Sequence, residues 1–229
     1  MRKHLGFISL VALIFFSSCE REVEESIIEI GFDFQPLGVG NFWIYEVDQT
    51  TYFGENDSEQ ELFFYRDHIR TFYLNEAKEQ VFIVERLKSS DKQTWVLEKE
   101  YTLILRDFTL IKTVDNQPLV SFVFPPKIGR VWNGNIYRND IRDDFEIDSV
   151  QNGPANGIDF EIGYRVLQEK SDDKITFRDI RYEYYGKGIG MTEYFAEVLT
   201  YCSRNDCLGD EIIDSGSKIQ MNLIEYGND

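Results

Sequence analysis

Cations, histidines and cysteines are all scarce in this chain. Its 229 residues include 24 Lys and Arg against 41 Asp and Glu, for a formal charge of −17. A protein that grips nucleic acid needs Lys and Arg in excess on some face to release counterions from phosphates, so this balance argues against nucleic acid as a partner. Attraction to an anionic membrane surface is disfavoured for the same reason. The longest uncharged apolar run, Leu5 to Phe16, has twelve residues, short of the roughly 20 that a helix needs to span a bilayer. With five prolines and 42% hydrophobic residues, general disorder is excluded and a folded core is expected.

The amino terminus has the form of an address. Arg2 and Lys3 precede the apolar run, as in the charged and hydrophobic regions of a secretory signal. The run ends Phe16-Ser17-Ser18-Cys19, which resembles the lipobox of bacterial lipoproteins, with Phe16 where Leu is usual. The resemblance implies cleavage after Ser18, a diacylglyceryl group on the Cys19 thiol and acylation (a palmitate-type chain) of the new amino terminus. Residues 1–18 would then be a signal peptide, residues 19–26 a lipidated cysteine with an acidic tether, and residues 27–229 a β-rich domain. Several acyl chains hold a protein to a membrane where one binds only marginally. Glu20, not Asp, follows the cysteine; the resemblance therefore implies the outer membrane, with the domain periplasmic or surface-exposed. Loss of Arg2 and Lys3 makes the mature chain two charges more acidic.

Cys202 and Cys207 remain, separated by Ser203-Arg204-Asn205-Asp206. Outside the cytoplasm such a pair is expected to form a disulfide. Closing so short a loop constrains the unfolded chain by about 2 kcal/mol in the entropic model. A zinc site would need further ligands, and His68 is the only histidine left after the signal. No metal, cofactor or catalytic residue is assigned.

The body reads as strands. Ile158, Phe160, Ile162, Tyr164 and Val166 alternate with polar residues; so do Trp43, Tyr45 and Val47, and Ile219, Met221 and Leu223. Ile175 and Phe177, leading into Tyr182 and Tyr184, suit a further strand. Segments 61–66, 69–74, 80–87, 94–105, 108–114 and 119–124 are rich in β-branched and aromatic residues. Turn signals fall between them at 54–57, 75–78, 89–92, 115–118 and 171–174. The pattern predicts an all-β fold: a single, mainly antiparallel domain forming a curved sheet, half-barrel or sandwich. Pro125-Pro126 forces a turn, and 133–157 is expected to hold a long loop, where binding groups usually sit. Asp148-Ser149-Val150 resembles a bacterial O-glycosylation acceptor.

Three phrases recur in order: Pro36-Leu37-Gly38-Val39-Gly40-Asn41-Phe42-Trp43-Ile44-Tyr45, Phe124-Pro125-Pro126-Lys127-Ile128-Gly129-Arg130-Val131-Trp132, and Tyr185-Gly186-Lys187-Gly188-Ile189-Gly190. Together they resemble a broad group of uncharacterised Gram-negative outer-membrane lipoproteins. The resemblance implies a curved antiparallel architecture and no known activity. Read physically, the glycines set turns and the tryptophans are expected at a β core, with a sugar-stacking platform as the alternative. The Gly186–Gly190 run lacks the ending and context of a nucleotide loop and is read as a tight turn.

Chemistry is sparse. His68 is expected at a turn or strand edge. Acidic groups at Asp140, Asp143 and Asp144, and at Asp206, Asp210 and Glu211, have oxygen ligands suited to calcium but no EF-hand spacing, so solvation is the expected role. The preferred function is a non-catalytic module, anchored to the membrane by lipid, for an apolar, glycan or protein ligand. The alternatives are an envelope hydrolase using carboxylates and a structural assembly partner. Two converging carboxylates in a pocket would favour the hydrolase.

Overall fold

The computed structural model describes residues 29–55, 57–154 and 157–229. The expected signal peptide (1–18) and the whole expected tether (19–26), Cys19 included, lie outside the described residues. Twelve antiparallel strands make one sheet: β1 (Asn41–Gly54), β2 (Asp57–Leu74), β3 (Gln80–Ser89), β4 (Val96–Arg106), β5 (Thr109–Val114), β6 (Gln117–Val123), β7 (Val131–Asn133), β8 (Asp144–Asn152), β9 (Ile162–Asp172), β10 (Phe177–Gly186), β11 (Gly190–Tyr201) and β12 (Ile213–Asn228). The all-β, single-domain expectation is met. The spatial order, β6-β5-β4-β3-β2-β1-β12-β11-β10-β9-β8-β7, places every strand beside its sequence neighbour and joins β1 to β12. Only β6 and β7 lack a ladder between them, so the sheet curls into a nearly closed up-and-down barrel. At this seam the Val120 amide donates to Gly134 O (2.9 Å) and the Trp132 indole donates to Val120 O (2.8 Å). Gly134 is required there, because a Cβ would come within 2.8 Å of the Phe145 ring.

The alternation sorts residues to the two faces. Trp43, Tyr45 and Val47 on β1, Phe63, Tyr65 and Ile69 on β2, and Met221 and Leu223 on β12 are buried inside. Charged residues occupy the opposite phase: Arg70, for example, pairs across neighbouring strands with Glu85 (3.2 Å) and Glu100 (3.0 Å).

The ends of the barrel differ. The 3-10 turn Phe32–Phe34 closes one of them. Phe34 is buried, its ring 5.8 Å from Phe122 and 5.4 Å from Tyr164. The Gly188 amide donates to Asp33 O (2.9 Å), and the Asp229 amide donates to Gly40 O (3.0 Å), so both the incoming chain and the carboxyl terminus meet at this plugged end. The opposite end carries the 201–213 connection, where Cys202 and Cys207 form a disulfide.

The long connection expected within 133–157 is residues 134–143; β8 (Asp144–Asn152) follows it, because Phe145 and Ile147 enter the core. Two local readings are corrected. The alternation from Ile158 does not start a strand there: β9 begins at Ile162, and Phe160 folds against Gly163 and Gly186 near the plug. His68 sits within β2, opposite Phe42, not at a turn.

Candidate functional site

The interior phase of several strands carries charge where apolar side chains would be expected. On β2, Asp67 lies between Tyr65 and Ile69 and is 2% exposed; directly opposite on β3 is Arg86. Arg86 donates through Nε and Nη2 to the two Asp67 oxygens (2.7 and 2.6 Å), and the Tyr101 hydroxyl donates to Asp67 Oδ2 (2.9 Å). The Arg86 guanidinium also stacks over Tyr65, 4.8 Å from the ring centroid. Burial alone would lower the Arg86 pKa, but the facing Asp67 carboxylate outweighs it and keeps the guanidinium charged.

A second group stands above this floor. Glu183 on β10 accepts a hydrogen bond from the Tyr185 hydroxyl (2.7 Å), and Lys112 on β5 holds its ammonium 3.9 Å from the Glu183 carboxylate and 5.2 Å from the Tyr101 ring. Burial pulls the Lys112 pKa down, only partly offset by Glu183. Burial likewise raises the pKa of Tyr45, Tyr101 and Tyr185 well above the usual phenol value.

Between these groups lies a cavity of about 410 Å³, within the usual range for small-molecule pockets. Its walls include Arg86, Lys99 and Lys112 on one side, Met191, Tyr194, Ile219 and Met221 on another, and Gln168, Arg181 and Glu183 between. Lys99 and Gln117 are exposed and, with Arg138, mark the rim on the end opposite the Phe34 plug. The barrel is therefore a cup with an aromatic floor. A wider groove of about 690 Å³ lies against β3 to β5 and is lined there by Ile83, Thr102 and Thr113, with Tyr137 from the 134–143 connection.

The residues singled out from sequence lie elsewhere. Trp43 is buried and donates to Ile189 O (2.6 Å); Gly190 permits this, since it has φ +109° and its missing Cβ would meet the indole nitrogen at 3.1 Å. Trp132 serves the seam. Both tryptophans are thus structural and neither is a stacking platform, and Gly186–Gly190 connects β10 to β11. His68 comes within 3.7 Å of Asp229 at the plugged end. Asp140, Asp143 and Asp144 face Arg138, Arg181 and Arg142 in turn, and Asp206 faces Arg204. Among the described residues no group of three or more His, Cys, Asp or Glu is arranged to hold a metal. Asp148 pairs with Arg165, and Ser149 shares a hydrogen bond with the Tyr184 hydroxyl (3.1 Å). Of the expected binding loop, Arg138 alone reaches the cavity. The signal that could have found the cavity is a charge in the apolar phase of a strand: Asp67, Arg86, Lys112 and Glu183 all have it.

No family model and no curated protein matches the sequence. Two solved structures are similar over 85% of this chain and 98% of their own. One is a candidate exported protein with a YmcC-like fold from Bacteroides fragilis, at 11% identity and a TM-score of 0.41. The other is a candidate lipoprotein from Parabacteroides distasonis, at 12% identity and a TM-score of 0.37.

Proposed function

We propose that this chain is a lipid-anchored protein of the outer membrane whose barrel lumen binds a ligand without transforming it. The anchor rests on the sequence ending at Cys19, and the binding role rests on the cup. One observation carries the latter: the 410 Å³ cavity combines apolar walls with polar groups that the fold itself leaves unbonded. Among the described residues, neither the Gln168 amide nor the Tyr194 hydroxyl makes a hydrogen bond. Both line the cavity, so a ligand there can take up their hydrogen bonds.

The two-carboxylate hydrolase is less well supported. Glu183 is the one carboxylate on the cavity wall, and Asp67 beneath it is fully engaged by Arg86 and Tyr101. A glycosidase needs two carboxyl groups free to act, about 5–9.5 Å apart.

Cys19 is ten residues before Glu29, a reach of at most roughly 35 Å, and Glu29 pairs with Lys187 at the plugged end (2.6 Å). The lipid therefore joins the barrel by way of its plugged end, on the side away from the mouth. Metabolic labelling with an alkyne palmitate, in a Gram-negative host expressing the full chain, tests the anchor: wild type takes up label and Cys19→Ser does not. Equal labelling of both would refute it. Native mass spectrometry tests the binding: the wild-type chain retains a small molecule and Ile219→Trp, which fills the cavity, releases it. Retention by both forms would place the ligand outside the lumen.

A further inference from the structure

The chemistry of the lumen selects among ligands, an inference that rests on the binding role proposed above. The cavity wall carries five cations, Arg86, Lys99, Lys112, Arg138 and Arg181, with a single carboxylate, Glu183. The lining is thus rich in cations within a chain whose formal charge is −17. Three of the cations are neutralised by carboxylates off the wall: Arg86 by Asp67, Arg138 by Asp140, and Arg181 by Asp179. The two lysines are different. Among the described residues Lys112 makes one ion pair, with Glu183 at 3.9 Å, beyond hydrogen-bonding range; Asp67 adds a more distant favourable charge, and the Glu183 carboxylate is also bonded by Tyr185. Lys99 has no ion pair or hydrogen bond among the described residues.

A mostly enclosed ammonium whose counter-charge lies beyond hydrogen-bonding range is costly. An incoming anion would remove that cost, and charge-assisted hydrogen bonds are the stronger kind. Gln168 offers a further unbonded amide from β9. Facing the lysine wall, Met191, Ile219 and Met221 supply flexible and branched apolar surface with no charge. A simple inorganic anion would use one wall of this cavity and leave the other wet.

We infer that the lumen takes an amphiphilic anion, a carboxylate or phosphate carried on an apolar chain, with Lys112 as the counter-charge and the chain against Met191, Ile219 and Met221. The two lysines without a close carboxylate then have a purpose: they favour an anion with enough apolar surface to enter.

The test is calorimetric titration of the full mature chain in nanodiscs, corrected with empty nanodiscs, using hexanoate, hexyl phosphate, hexanol and hexylammonium. At least one anion is expected to bind about ten-fold or more tighter than hexanol, with hexylammonium weakest, and the tighter anion identifies the head group. Lys112→Met is expected to erase that preference, with circular dichroism showing whether the variant is folded. Should it fail to fold, Lys99→Gln at the exposed rim is expected to weaken the anion by about three-fold and spare hexanol. Hexanol binding as tightly as both anions, or an unaltered preference in a folded Lys112→Met, would overturn the anionic assignment and leave lumen binding standing. No binding by any of the four would overturn both.

Discussion

Arg86 and Asp67 face each other across β2 and β3 and share two parallel hydrogen bonds inside the barrel. Removing one partner of such a pair leaves an unpaired buried charge, at a cost of about 3–5 kcal/mol, while replacing both with apolar residues is often neutral. Asp67→Ala and Arg86→Ala are each expected to lower stability by roughly that amount. The double variant Asp67→Leu/Arg86→Met should recover most of the loss. Denaturant unfolding of the four forms checks this; additive losses would contradict it.

Phe34 ties the incoming chain to the floor. Truncating a buried Phe costs about 3–5 kcal/mol, so Phe34→Ala is expected to destabilise the barrel on that scale. It should also raise protease cleavage near Gly31, because the segment loses its packing against Phe122 and Tyr164. Unchanged cleavage would mean the plug is held by other contacts.

The seam is the weakest line in the sheet. Twelve β1 residues have cross-strand partners on β12, whereas β6 and β7 meet through the Val120 amide and the Trp132 indole. Elements with few backbone bonds open at lower free energy. Hydrogen exchange is therefore expected to be faster at Val120 than at Val47 on β1. Trp132→Phe, which leaves Val120 O without its indole donor, should accelerate exchange at the seam alone. Uniform acceleration across the sheet would instead indicate global unfolding.

Alkaline pH should unfold the protein through three phenols. Burial raises the pKa of Tyr45, Tyr101 and Tyr185 above the unfolded value. Below pH about 10 both states hold these protons and stability is at its full value. Above it the unfolded chain releases them first, so the native state binds more protons and stability falls as pH rises. Ultraviolet phenolate absorbance and circular dichroism should show these three ionising together with loss of structure. Ionisation in an intact barrel would contradict the enclosure.

Much of this was legible in the sequence, for a definite reason. Strands with one buried face print a period of two, so β1, β3 to β6, β10 and β12 are visible in the residues that form them. Closure was not legible, because pairing of β1 with β12 is a long-range contact with no local signature. The false strand start at Ile158 has the same cause: Phe160 satisfies the alternation but is used to pack glycines near the plug. The site was hidden by the opposite error. Asp67, Arg86, Lys112 and Glu183 sit in the apolar phase of their strands, and a reading that looks for motifs passes over single residues that break a pattern. Glu183 was one of many acidic residues; only the inward phase distinguishes it.

The central claim, that the lumen is the ligand site, can be read from two side chains. The chain has three methionines; under the proposed processing at Cys19, Met1 leaves with the signal, and Met191 and Met221 both line the cavity. In the mature chain a methionine-methyl NMR spectrum therefore reports on the lumen alone. Titration with hexanoate is expected to shift both methyl signals with the affinity found by calorimetry. Binding that saturates by calorimetry while both methyl signals stay fixed would contradict the account.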